Sequence, residues 1–210
     1  MRRYGPAVPD SSGPDAERPD ITQLILDDHE WFRRRFAELD ELRAEGADPS
    51  TVRRHWRPLA DLLDVHAEAE ERIFYPQLLR KGENDPQEET LDAIGDHNEI
   101  RQGVREADRH PVGSEGWWSG VDDARAANDE HMGEEENEGL PDFRLHAPAG
   151  LRVSLGARFT EFKERHAGTR GLDVVDKDPE EYVQQIEREI TRPSDFAGDV
   201  SLGIGSLKNR

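Results

Sequence analysis

Two short patterns each occur twice in this chain, and both contain residues that bind cations. Asp28-His29 is followed by Arg33, four residues beyond the histidine, and Asp96-His97 is followed by Arg101 at the same spacing. His66 is followed by Glu70, Glu71 and Pro76, and His131 by Glu135, Glu136 and Pro141 at the same offsets. Residues four apart share one face of a helix, one turn on, so His66 projects with Glu70 and His131 with Glu135. These positions fall in register with apolar stripes: Leu59, Leu62, Leu63, His66, Glu70 and Ile73 on one, Val121, Ala124, Asn128, His131 and Glu135 on another. His29 lies between Ile25 and Phe32, and His97 between Ile94 and Val104. Buried carboxylates are costly unless compensated, and buried imidazoles prefer to be neutral. A pair of multivalent cations removes both difficulties. Four imidazoles and two bridging carboxylates make a nitrogen- and oxygen-rich site suited to iron, manganese or zinc. The candidate ligands are His29, His66, Glu70, His97, His131 and Glu135. Glu71 and Glu136 are either solvated neighbours or outer acceptors for the ligand imidazoles.

A single His-x-x-x-Glu would say little in so acidic a sequence; it is the duplication that carries weight. Two helix pairs related in this way are expected to pack about an approximate two-fold axis, each offering the same groups to the centre. The elements needed to do so are legible. Pro19-Asp20 opens a first helix, with Ile21, Leu24, Ile25, Phe32, Phe36 and Leu39 on its inner face. Ser50 is the expected N-cap of a second. Pro58 should kink it or delay its start, and Pro76 should bend or end it. A third runs from about Pro86 to Asp108, and a fourth from about Ser114 to Glu138, stopping before Pro141. Short connections predict an all-α, up-down-up-down four-helix bundle over residues 20–141. Residues 1–19, rich in Pro, Gly, Ser and Asp, read as a loosely docked arm. Residues 142–210 read as a helical extension, with helices at about 149–166 and 179–191, and an extended tail from Asp199. Leu151, Leu155, Phe159 and Phe162 would pack on the bundle, close one end of it, or form a dimer interface.

Composition narrows the chemistry. The chain of 210 residues has no cysteine, which removes thiolate ligands, iron–sulfur clusters and cysteine nucleophiles. A net charge of −19 argues against nucleic-acid or anionic-membrane partners. No apolar run is long enough to cross a bilayer, and no secretory leader is recognisable, so a cytoplasmic location is expected. His55, His110, His146 and His166 lie outside the repeat and read as surface or structural. Tyr4, Tyr75 and Tyr182 lie off the ligand stripes, so no tyrosinate ligand is expected. No Glu stands three residues before a candidate ligand histidine, which argues against a ferritin-like site with its repeated Glu-x-x-His.

On Asp28-His29-Glu30, on His66 to Glu71 running into Phe74-Tyr75-Pro76, on Asp96-His97 and on His131 to Glu136, the sequence resembles the hemerythrin-like, HHE cation-binding family. The resemblance covers about residues 20–141. It implies a left-handed four-helix bundle around an oxo- or hydroxo-bridged pair of iron ions, with Glu70 and Glu135 as bridges. One iron would be held by His29 and His66 and the other by His97 and His131. The sequence departs from the oxygen carriers of that family at Arg101, where they have a fifth histidine. Arginine has only donors and cannot ligate a metal, so the iron beside His97 is expected to keep an open position. Arg33 and Arg101 would either hydrogen-bond an exogenous ligand or pair with nearby carboxylates. An open iron pair suits binding of, or reaction with, dioxygen, peroxide or nitric oxide, including catalase-like disproportionation. The alternatives are a diiron oxidase or oxygenase acting on an organic substrate, and a non-enzymatic iron or oxygen sensor.

Overall fold

The computed structural model describes residues 20–191, and among these there is no strand. The helices are α1 (Ile21–Glu45), α2 (Pro49–Ala69), α3 (Tyr75–Lys81), α4 (Pro86–Asp108), α5 (Glu115–Asn137), α6 (Gly139–His146), α7 (Ala149–Arg165) and α8 (Pro179–Thr191). A π-helical turn, Glu70–Phe74, joins α2 to α3, and a 3-10 turn, Ala167–Thr169, follows α7. The protein is an all-α helical bundle. The expected arm at 1–19 and the tail from Asp199 lie outside the described residues.

Local chemistry accounts for the helix ends. Asp20 caps α1 through the amides of Thr22 and Gln23, and Gly46 ends it in the left-handed conformation (φ 66°) that favours glycine. Asp48, not Ser50, caps α2, accepting from the amides of Ser50 and Thr51. Pro49 then occupies the first turn, where its missing N–H costs nothing. The helix runs through Pro58 rather than starting after it. Pro76 does not end the run either. The chain accommodates it by widening one turn into the π-helix just before it, so helical structure continues to Lys81. Ser114 caps α5 through the Trp117 amide.

Two apolar clusters flank a polar layer. One gathers Phe32 and Phe36 of α1, Trp56 and Leu59 of α2, Val104 of α4 and Trp117 of α5, with their neighbours. The other gathers Ile21 and Ile25, Ile73 to Tyr75, Ala93, Phe143, Leu155 and Phe159. In each of the first two helices and in α4, the histidine stands between residues of the two clusters. Leu155 and Phe159 place α7 on the bundle, so packing on it, among the options open for that segment, is what the structure adopts. The segment between the 3-10 turn and α8 runs as a strap over α4, and α8 lies against α3 and α4.

Candidate metal centre

The polar layer contains the residues of the duplicated pattern. His29, His66, Glu70, His97, His131 and Glu135 are all buried. Ligand atoms of His29, Glu70, His131 and Glu135 lie within 4.8 Å of one another. His66 and His97 complete the ring from the other side: His66 Nε2 is 2.9 Å from Glu70 Oε1, and His97 Nε2 is 3.3 Å from Glu70 Oε2. His29 Nε2 is 3.3 Å from Glu135 Oε2, and the Nε2 atoms of His97 and His131 are 3.3 Å apart.

Every one of the four rings turns its other nitrogen toward a carboxylate. His29 Nδ1 is 2.9 Å from Glu136, His66 Nδ1 3.0 Å from Asp28, and His97 Nδ1 2.9 Å from Glu71. His131 Nδ1 lies 3.7 Å from Asp96. An Nδ1–H that donates to a carboxylate leaves Nε2 as a lone pair. These Nε2 lone pairs face carboxylate oxygens and one another. Acceptor facing acceptor in a buried layer is unfavourable unless positive charge lies between them. The same strain appears as buried atoms without a hydrogen bond among the described residues: His29 Nε2, His66 Nε2, both oxygens of Glu70 and Glu135 Oε2. Cations bound by neutral imidazoles and ionised carboxylates fit this donor set, and its oxygen and nitrogen character suits iron, manganese or zinc.

The electrostatics agree. Burial disfavours charge on His66, yet Glu70 and Asp28 outweigh it and lift its pKa to about 9. Burial likewise works against His131, but Asp96, Glu70 and Glu135 raise its pKa well above the ordinary value. Glu70, against its own burial, is held well below the carboxylate range by His66, His131 and His97. The centre therefore holds excess negative potential that either protons or metal ions must neutralise, so metal binding would release protons. Glu71 and Glu136 are brought to about 2: the first against burial, by His97, Arg101 and Lys177, the second by His29 and Arg33.

Glu71 and Glu136 thus each face an imidazole of the layer. The two arginines pair with them: Arg101 Nη2 lies 2.8 Å from Glu71 and 3.4 Å from Glu68, and Arg33 Nη1 lies 2.8 Å from Glu136. Nε and Nη1 of the buried Arg101 have no acceptor among the described residues. His55, His110, His146 and His166 each contact a group only four residues away, as surface or structural histidines would.

Tyr75 is a correction to the sequence reading. Its side chain is fully buried and its hydroxyl donates to Glu135 Oε1 at 3.0 Å. The π-turn advances the chain by one residue, which brings the fifth position after Glu70 onto the inner face. Burial and the nearby Glu135 push its pKa well above the ordinary value, so it is a proton-bearing donor. Asp28 and Asp96 likewise face His66 and His131, and their place in the repeat is a usable signal for it. Glu68, Lys163 and Lys177 lie outside any repeat and carry no such signal.

Comparison with curated proteins and with solved structures gave no significant match. The family model for the hemerythrin HHE cation binding domain matches residues 20–143, well over half of the chain, and the protein belongs to that family.

Proposed function

We propose that the chain holds a pair of iron ions on His29, His66, Glu70, His97, His131 and Glu135 and uses them to bind or react with dioxygen, peroxide or nitric oxide. One observation carries the reading: four imidazole Nε2 atoms and two carboxylates converge in one buried layer, with His29 Nε2, His66 Nε2, both oxygens of Glu70 and Glu135 Oε2 lacking a hydrogen-bond partner among the described residues, while all four Nδ1 atoms face carboxylates. A bound iron pair would supply two adjacent redox-active Lewis acids. Manganese or zinc would be accepted by the same donors.

The surrounding residues have separable tasks. Asp28, Glu71, Asp96 and Glu136 set ring orientation and tautomer. Tyr75 holds one oxygen of Glu135, whereas neither oxygen of Glu70 has a hydrogen bond among the described residues, so the two carboxylates are not equivalent. The apolar clusters on either side keep bulk water from the layer. Their alternating order along successive helices supports the up-down-up-down path. Cavities of about 660 and 490 Å³ reach Glu71 and Glu136 respectively, and none of the six inner residues lines either. That supports a small ligand over an organic substrate.

The test is metal content per chain on freshly purified protein, with the near-ultraviolet and visible spectrum before and after peroxide. About two irons and a band that peroxide perturbs are expected. A protein that takes up no metal, even anaerobically, would sink the reading. Gas release from peroxide without a cosubstrate would mark catalase-like turnover, and a large fall in Tm on iron removal without turnover would favour a sensor.

A further inference from the structure

The family match ends at residue 143, yet two lysines beyond it reach the outer carboxylates of the centre. Lys163, in the last turn of α7, is ion-paired with Asp28, whose Oδ2 faces His66 Nδ1. Lys177, in the strap before α8, is ion-paired with Glu71 and with Glu68. The division of labour on Glu71 is specific. Its Oε1 meets His97 Nδ1 and Arg101, and its Oε2 meets Lys177. A carboxylate fixed at one oxygen can still turn about its own axis; fixed at both, it presents a set plane to the imidazole.

The strap that delivers Lys177 is itself fastened. Asn98, the residue after His97, donates to the Lys177 carbonyl at 2.7 Å and accepts from the Lys177 amide at 3.0 Å. Arg105 grips Asp176 through both terminal nitrogens at 2.9 and 2.8 Å. Tyr182 donates its hydroxyl to the Glu71 carbonyl. The pseudo-equivalent acceptors lack such support: Glu136 meets Arg33 of the bundle itself, and the buried Oδ2 of Asp96 has no hydrogen-bond partner among the described residues.

We propose that Lys163 and Lys177 are positioning residues of the metal centre, acting through Asp28 and Glu71 to fix the rings of His66 and His97. The C-terminal extension is then a working part of the site, not only packing against it. This rests on the metal-binding reading above.

The experiment compares metal retention by the iron-loaded full chain under excess chelator for wild type, K163M, K177M, K163R and K177R, alongside the Tm of each metal-free protein. Loss about tenfold faster or more in each methionine variant, with the arginine variants within about threefold of wild type, is the expected result. The near-ultraviolet spectrum of K177M should also shift, which loss of packing alone would not cause. Retention within about twofold of wild type in both methionine variants overturns the inference while leaving the iron pair standing. Faster loss that arginine does not rescue also overturns it, assigning the lysines to packing. A wild type that binds no metal removes both readings. Lys163 and Lys177 sit on different segments and act through different carboxylates, so K163M and the arginine pair keep the test decisive if K177M fails to fold.

Discussion

In the first helix pair, large side chains fill the seam: Phe32, Phe36 and Leu39 of α1 meet Trp56, Leu59 and Leu63 of α2. In the second pair, two glycines let the backbones nearly touch. A Cβ at Gly103 would fall 2.4 Å from the Ala124 nitrogen, and one at Gly120 would fall 2.3 Å from the Ala107 nitrogen. Both pairs nevertheless bring the same His and Glu into the buried layer. The polar layer thus depends on the register of each helix, and two unlike packing solutions can hold the same register. The halves differ again outside the layer. Arg101 is 1% exposed by side chain and shut in beneath the Lys177 strap, whereas its counterpart Arg33 is 46% exposed. After the second ligand, Phe74 and Tyr75 keep the first half helical through a π-turn, while Gly139 and Leu140 follow a break at Glu138 in the second.

The largest expected effect would erase the comparison altogether. Glu70→Ala or Glu135→Ala should each abolish retention of a metal pair, read as metals per chain; variants that kept two metals would refute the ligand assignment. Next, Arg101→Met should cost ~3 kcal/mol in the metal-free protein, because it leaves Glu68 and Glu71 buried with fewer partners. Arg33→Met should cost under ~1 kcal/mol, as an exposed pair does. Equal losses in urea unfolding would show that the halves are not differently sealed. Gly120→Ala should destabilise by about 2 kcal/mol through overpacking against backbone that cannot retreat. Phe36→Ala in the other half should cost ~3 kcal/mol by the opposite route, a cavity. A tolerated Gly120→Ala would mean that α4 and α5 are less closely apposed than described.

The smallest effect concerns Glu89, whose counterpart at the start of α1 is the apolar Ile21. Burial, with Glu135 and Glu138 nearby, raises the Glu89 pKa from 4.5 to about 7. The folded state therefore holds a proton that the unfolded chain releases. That contribution is fully present below 4.5 and is lost as pH rises toward about 7. Metal-free Glu89→Gln should match wild type at acid pH and melt a few degrees higher above neutrality. Identical melting curves at both ends of that range would contradict the assignment.

The six inner residues were legible in the sequence because they repeat at helical spacing on apolar stripes, a coincidence that solvated charge does not produce. Pairing of Glu71 and Glu136 with the imidazoles was one of two open readings, since sequence spacing does not say which helix a neighbouring carboxylate meets. Tyr75 was hidden because a π-turn changes the period from which faces are counted. Of the two readings of Pro58, a kink or a delayed start, the delayed start does not hold, because α2 runs through it from Pro49 and a proline's cost depends on whether the surrounding helix can absorb it.

The sequence by itself determined the four long helices, the duplicated His and Glu pattern and the family, since local spacing and side-chain chemistry suffice for these. Only the tertiary structure decided which carboxylate orients which ring, that Tyr75 turns inward, and that Lys163 and Lys177 close on the site from a segment far along the chain. Such contacts are set by how helices cross, and no periodicity within a single helix records that.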